Sequence, residues 1–544
     1  MAILPLQAEL RTKVWKSVKL NNQNTFLIFR IAVNKITRLY KKLHRWPGLI
    51  LSFLLLYYGI TGILMNHRET FAPIEVNRTN LPANYAYRNW NNAAVKGNLI
   101  ISNDSILLYG NIGIWVTDSL FTRYRSMNAG FPKGIDTRKI FDVHQAPDGH
   151  LYAATLFGFY AFDKEQKQWQ KLDLDVSIKR FVGIESVGDT VFALNRSYLF
   201  KGISDGANTR FEKIELEAPE GYVNDVGLFE TIWQIHSGEV FGLPGKLFVD
   251  ALGVITIFLS VTGILYFFFP NSIKRRKQRN KKVKNMVSTT RWSLKWHNYV
   301  GTWTFAFLII LYFTGMFLRP PLLISIAYAR VAPLKFSHLD QPNPWYDKLR
   351  DLHYDSKNER LLLSTSDGMF FISEGTYKPK AFRYQPPVSV MGINVWEPFH
   401  EGTYLIGSFS GLFVWDPTRP EIMNYPMGSL YQSPAGGRPV GDFKVSGFIQ
   451  DTYGKQYLVD YDLGVLPLYH RQIFPEMPDN VRAESRMSLW SLSLEIHTGR
   501  FFNNLLGIFY ILIVPLSGLA GVIVVLSGYL LWRKKYRNKK VNSS

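Results

Sequence analysis

Apolar and polar positions alternate along this chain on two different scales. On the longer scale, four runs carry no charged residue: Trp46 to Met65, Ala251 to Pro270, Tyr299 to Leu318, and Phe501 to Trp532. Each of the first three is twenty residues, about 30 Å as a helix and so about the depth of a bilayer core. The spacing predicts four membrane-spanning helices, the last with a kink at Pro515. On the shorter scale, period-two strands separated by Gly and Asp turns recur between the spans. "NDSILLYGNIGIWVTD", "PDGHLYAATLFGFYAFD" and "GDTVFALNRSYLFKG" lie in the first outer segment, and "KNERLLLSTSDGMFFISEG", "HEGTYLIGSFSGLFVWDP" and "GKQYLVDYDLGVLPLY" in the second. Each reads as a strand, a Gly-centred hairpin and another strand. Their repeat of about forty to fifty residues is that of a propeller blade.

The predicted fold class is therefore a membrane protein with an all-β outer region. Three units on each side predict one six-bladed β-propeller built from both segments, and two separate small β domains are the alternative. The expected order is a basic amphipathic N-terminus (1–45), helix (46–67), β segment (68–246), helix (247–270), basic loop (271–296), helix (297–318), β segment (319–500), helix (501–532) and basic tail (533–544).

Charge fixes the orientation. Residues 1–45, the connector 271–296 and the tail 533–544 hold 26 Lys and Arg against one acid, so the rest of the chain is at −4 within a total of +21. By the positive-inside rule these parts are cytoplasmic and both long segments face outward, in a bacterium into the periplasm. The basicity then serves topology and no nucleic-acid partner is expected. The first span is too long, and too far behind basic sequence, for a cleaved signal. Cysteine is absent, which excludes disulfides, thiolate iron–sulfur ligation and covalent c-type haem.

The spans are duplicated. "LHRWPGLILSFLLLYYGITGILM" lies over "WHNYVGTWTFAFLIILYFTGMFL" without a gap, with His44 on His297, Gly48 on Gly301 and Thr61-Gly62 on Thr314-Gly315. "IHSGEVFG" and "IHTGRFFN" before the second and fourth spans set His236 on His497. The chain is thus two parallel repeats, and such repeats can bring equivalent residues face to face. Facing neutral imidazoles could hold a haem iron from both sides, leaving no open position and suiting electron transfer. Interfacial anchors, or a proton or ion path, are the alternatives that spacing leaves open. His144, His150, His338, His353, His400 and His470 have no ligand spacing and are expected to be hydrogen-bonded or surface side chains.

The stretches "LHRWPGL…TGILMNHRE" and "IHTGR…SGYLLW" resemble signatures of the PepSY-associated transmembrane helix family. That resemblance implies an inner-membrane protein binding two b-type haems and reducing a ferric iron complex, siderophore-like, in the periplasm. It implies His44, His297, His236 and His497 as cofactor-binding residues, with His67 in "MNHRE" a further histidine position, matched in the second copy by Pro320. His236 with His497 is the expected outer pair, and His67 a neighbour of the haem or the substrate. Arg45, Arg68, Arg319 and Arg500 could meet propionates. Neither outer segment contains a recognisable PepSY domain, and Arg500 stands where the first copy has Glu239. No dinucleotide fingerprint occurs, so the expected donor is another molecule, such as membrane quinol. The rival reading is a membrane-anchored sensor or assembly partner. A transporter is disfavoured because, apart from Asp250, the spans carry no ionisable group in their middle.

Overall fold

A computed structural model describes residues 4–541 except 177, 374, 390–391, 401 and 433–440, with only the backbone described for 4–34 and 536–541. The chain forms two compact units, residues 1–66, 225–339 and 493–544 in one and residues 67–224 and 340–492 in the other.

The first unit is helical. Its main helices are α1 (Leu4–Asn66), α2 (Leu228–Ser237), α3 (Gly242–Gln278), α4 (Lys284–Met316), α5 (Leu489–His497, of which 493–497 belong here) and α6 (Ile513–Val541). The stretches long and apolar enough to cross a membrane are Lys35–Asn66, Glu239–Gln278, Lys284–Met316 and Arg500–Lys535. α1 packs on α3 and α6, and α4 on the same two, so the four long helices form a ring. Two close crossings set that ring. A Cβ on Gly59 would meet Ile257 Cγ1 at 2.7 Å and the Gly253 carbonyl at 3.0 Å, and one on Gly521 would meet Tyr312 Cδ2 at 2.7 Å. Small residues let helix backbones approach in a bilayer, where no hydrophobic force drives helices together. Gly59 and Tyr312 are repeat-equivalent, so the two copies divide the bulk at the crossing in opposite ways.

The helix boundaries differ from expectation in three places. The connector 271–296 is mostly helix, with α3 running to Gln278 and α4 beginning at Lys284. Residues 225–246, 319–339 and 493–500 belong to the helical unit, which narrows both β segments. Pro515 does not kink the last span. The chain before it is a short helix (Asn503–Leu506) and a 3-10 turn (Gly507–Leu512), and α6 starts at Ile513. Pro515 thus occupies the first turn, where its missing N–H costs nothing.

Besides a two-stranded pairing of Glu75–Val76 with Met487–Ser488, the second unit holds, among the described residues, six larger antiparallel sheets in chain order, spanning residues 95–126, 140–172, 181–214, 349–381, 395–430 and 445–468, of four, four, four, four, five and three strands. Their first strands are β1 (Val95–Ser102), β2 (Ile140–Gln145), β3 (Phe181–Val187), β4 (Leu349–Asp355), β5 (Val395–Pro398) and β6 (Val445–Gln450). Six cores lie between the sheets. Leu107 and Ile114 pack with Val143 and Ala153, Tyr152 and Phe159 with Phe181 and Val191, and Leu194 and Leu199 with Leu349 and Leu363. Leu362 and Met369 pack with Trp396 and Tyr404, and Val395 and Leu405 with Val445 and Leu458. The sixth core joins the last sheet to the first, through Val95 and Trp115 against Ile449 and Val459. There the Asn98 amide donates to the Gln450 carbonyl at 2.8 Å, and the Gln450 N–H donates back to Asn98 Oδ1 at 2.9 Å.

Five of the six first strands carry a bulge at the same place, after Val95, Ile140, Phe181, Leu349 and Val445. A bulge bends its strand and re-aims the side chains around it. The residue just beyond it is Gly97, Asp142, Gly183, Asp351 or Gly447. At Gly447 only glycine fits, because a Cβ would lie 2.5 Å from the Lys96 carbonyl oxygen.

Candidate functional site: two histidine pairs in the helical unit

Each predicted pair is brought together. The His44 and His297 rings have centroids 6.1 Å apart at 78°, and those of His236 and His497 are 6.3 Å apart at 66°. His44 and His297 sit on the long helices α1 and α4, while His236 and His497 end the short helices α2 and α5. Those short helices stop because "HSG" and "HTG" set Gly238 and Gly499 in the left-handed region, at φ 79° and 76°, where glycine bears no Cβ penalty.

Every ring is held by the same nitrogen. His44 Nδ1 donates to the Val524 carbonyl at 2.9 Å, and His236 Nδ1 to the Leu311 carbonyl at 3.0 Å. A carbonyl can only accept, so both rings carry their proton on Nδ1. His297 Nδ1 lies 2.9 Å from Thr262 Oγ1 and His497 Nδ1 2.9 Å from Thr61 Oγ1. Each of those hydroxyls already donates to its own helix, to the Phe258 carbonyl at 2.8 Å and the Tyr57 carbonyl at 2.6 Å. They therefore accept from the imidazoles. In all four rings Nε2 keeps its lone pair. An outer hydrogen bond that fixes tautomer and orientation is the arrangement found behind metal-binding histidines.

Each ring also rests on a glycine of another helix. His497 faces Gly62, His297 faces Gly263, His236 faces Gly315 and His44 faces Gly528, and a Cβ on those glycines would come within 3.4, 3.6, 2.8 and 2.7 Å of the imidazole Cε1. The four glycines each follow a hydroxyl residue, in Thr61-Gly62, Thr262-Gly263, Thr314-Gly315 and Ser527-Gly528. Two of these dipeptides stand out in the duplicated sequence. Their role as seats does not, because a helix period says nothing about which neighbouring helix supplies the ring.

The donor set fits an axially bound haem. Two imidazole–metal bonds of about 2.0 Å, with about 1.2 Å from Nε2 to each ring centre, separate the centroids by about 6.4 Å. The observed 6.1 and 6.3 Å lie within about 0.3 Å of that figure. The hydroxyls of Ser260 and Ser293 are buried without a hydrogen-bond partner among the described residues. Ser293 precedes His297 by one turn, and Ser260 lies two residues before the Thr262-Gly263 seat. Both hydroxyls lie on the helices that carry His297 and its seat, and a buried polar atom without a partner is one that a bound group could satisfy. Haem is the group whose iron two neutral imidazoles hold from opposite sides.

The remaining candidates are distributed differently. His67 belongs to the β unit, where its carbonyl accepts from the Phe71 N–H at 3.2 Å, and neither pair includes it. Arg500 pairs with Glu495 at 2.6 Å, and Glu239 pairs with Lys246 at 2.9 Å, so the charges that differ between the copies are balanced locally. Arg45 lies over the Phe267 ring and Arg68 pairs with Asp136. Arg319 lies over Tyr510 with its Nε unbonded. Asp250 accepts from the Asn66 amide at 2.9 Å. His144 bonds Ser186, His150 bonds Asp148, His353 bonds Glu185 and His470 bonds the Gln456 carbonyl. Among the described residues no three or more metal-binding side chains converge.

Comparison with known proteins adds a family. No curated protein matches the chain. Among solved structures, an extracellular domain of a hybrid two-component system, BT4673 of B. thetaiotaomicron, is similar at 12% identity and a TM-score of 0.33, over 70% of this chain and 33% of that one. The mitotic checkpoint complex is similar at 9% identity and a TM-score of 0.31, over 74% of this chain and 93% of that one. PorZ, a surface component of the type-IX secretion system of Porphyromonas gingivalis, has 9% identity and a TM-score of 0.20, over 69% of this chain and 44% of that one. Likenesses at this level carry no argument about function. The PepSY-associated TM region, in contrast, matches twice, over residues 13–269 and 272–535, one match on each copy of the repeat. With nearly its whole length covered in this way, the chain is a membrane protein that belongs to the PepSY-associated TM family.

Proposed function

We propose that this protein carries electrons across the bacterial inner membrane to reduce a ferric iron complex, siderophore-like, on the periplasmic side. The observation that carries the reading is the pair of facing imidazoles at each of two levels of the bundle, all four with Nε2 unprotonated. His44 with His297, and His236 with His497, would each hold one b-type haem. When bound, that group supplies reversible one-electron chemistry without an open coordination site. The chain's own part is to fix the rings through Nδ1, seat them on glycine, and exclude water with the apolar bundle.

The levels are well separated. Eighteen residues divide His44 from Gly62, and His297 from Gly315, about 27 Å along a helix. One site therefore serves each side of the membrane. A membrane quinol giving up two electrons and two protons would reduce two ferric centres. Ferrous iron binds hard oxygen chelators less tightly, so reduction loosens the complex. Absorption spectra and haem quantitation of the purified protein test the reading. Expected are about two haems per chain with sharp, redox-sensitive bis-imidazole bands. Haem-free protein that still binds its partners would sink it.

The six sheets with six intervening cores support one six-bladed propeller, closed where Asn98 meets Gln450. The 26 basic groups outside the two long segments support cytoplasmic termini and a periplasmic β unit. Reporter fusions at Asn195 and Asp416 should both report the periplasm. Cytoplasmic signals from either would overturn this topology.

A further inference from the structure

Three cations in the β unit make no hydrogen bond or ion pair among the described residues. Lys139 and Arg180 immediately precede β2 and β3, and Lys96 is the second residue of β1, so all three stand at the bulged ends of neighbouring strands. Lys96 Nζ and Arg180 Cζ share the Phe141 ring, at 5.5 and 4.4 Å from its centre. Among the described residues none of the three side chains makes a hydrogen bond or an ion pair, and Arg180 Nε is sealed from solvent. Of the nearby carboxylates, Asp351 accepts only the Leu352 N–H among the described residues, at 3.0 Å, and the others have partners elsewhere. Asp136 holds Arg68 at 2.8 Å, Asp347 holds Arg196 at 2.6 Å, and Asp142 Oδ2 accepts the Ile184 N–H at 2.8 Å. At the matching position of the fourth sheet, Lys348 does have a partner, Asp367 at 2.9 Å.

Burial and mutual repulsion act on these groups together. Burial, with repulsion from Arg68, brings Lys139 down to about 8, and burial with repulsion from Arg196 and Arg350 brings Arg180 down to about 9. Lys96 is lowered by burial too, against the pull of Asp351 and Asp142. Asp351 and Asp142, Asp136 and Asp347 pull on Lys96, Lys139 and Arg180 respectively without forming an ion pair with them, and holding like charges out of water with no direct partner is costly unless something else completes the cluster.

We propose that Lys96, Lys139 and Arg180 form a binding site for a small, multiply charged oxygen anion of the polycarboxylate class. The site stands on the β unit alone. Only the presence of iron in its ligand rests on the reductase reading, and with that reading it selects anionic over neutral ferric chelates. A guanidinium and two ammonium groups suit several carboxylate oxygens at once.

The test is calorimetry on the full-length protein in detergent, with citrate, ferric citrate, inorganic phosphate and a neutral ferric trihydroxamate as probes. Citrate and ferric citrate are expected to bind and the trihydroxamate not to. Lys139→Met and Arg180→Met should each weaken citrate by about tenfold or more, and the exposed control Arg419→Met should not. Both variants should also melt no lower than the parent, because each removes a half-buried charge that has no ion-pair partner among the described residues, while losing the citrate-induced rise in Tm. Equal citrate affinity in parent and variants would overturn the site, as would no citrate binding below about 10 mM. Binding of phosphate without citrate would overturn the ligand class. Lower melting with citrate affinity retained would make the cations structural and overturn the proposal. Ferric citrate that binds through Lys139 but is not reduced leaves the site standing and fells the reductase reading. Reduction indifferent to both variants does the reverse.

Discussion

His236→Ala and His497→Ala are each expected to take the protein from about two haems per chain to about one, and to abolish ferric reduction. The two rings face each other at 6.3 Å, and on the proposed reading each would supply one of the two nitrogens that hold a haem, so losing either would leave it a single protein ligand. Loss of a mere outer hydrogen-bond partner typically costs 10–100-fold in metal affinity, and loss of the ligand itself should cost at least about that much. His67→Ala is the discriminating control, expected to keep both haems because neither pair includes His67. Haem quantitation with redox difference spectra reads all three variants. A haem lost from His67→Ala, with both kept in His236→Ala or His497→Ala, would reassign the outer ligands while leaving the two-level arrangement intact.

The four glycine seats give a second large and graded effect. A methyl group on Gly315 or Gly528 would sit 2.8 or 2.7 Å from the imidazole Cε1 of His236 or His44, whereas on Gly62 or Gly263 it would sit at 3.4 or 3.6 Å from His497 or His297. Distances under 3.0 Å force the ring to move. It is held by Nδ1 at 3.0 Å in His236 and 2.9 Å in His44, so moving it breaks the bond that aims Nε2. Overpacking of this kind costs about 1–3 kcal/mol. Gly315→Ala and Gly528→Ala should therefore each lose one haem, as removal of the histidine does. Gly263→Ala should keep both, and Gly62→Ala should shift a reduction potential at most. Four alanine variants with unchanged spectra would show that the seats carry no positional role.

Much of this site was legible because a helix turns spacing directly into height. The unbroken register of His44 on His297 placed both rings at one level before any neighbour was known. The seats were not legible, because the partner of Thr61-Gly62 is His497, on a short helix far away in sequence. The bulges were invisible for a different reason. A bulge is one extra residue in a strand, and Phe181-Val182-Gly183 or Ile140-Phe141-Asp142 reads as ordinary alternation until its partner strand is known. The cationic cluster depends on those bulges and went unseen with them. Pro515 starts a helix instead of bending one, which is not legible in the sequence because a proline inside an apolar run has the same spelling in both cases.

The ring of sheets has a temporal consequence. Its third and fourth members are joined in one core through Leu194, Leu199, Leu349 and Leu363, and its last and first in another, yet two spans separate these halves in the chain. At about 5–20 residues per second, the 268 residues from 224 to 492 take roughly 13–50 s to synthesise. For that interval the first three sheets exist with two cores half built, exposing apolar faces to whatever is near. Strand formation itself takes microseconds, so the nascent half waits on the ribosome. A newborn molecule of this protein therefore passes through a long, sticky adolescence, in which a holding chaperone would matter far more than it does to the finished fold.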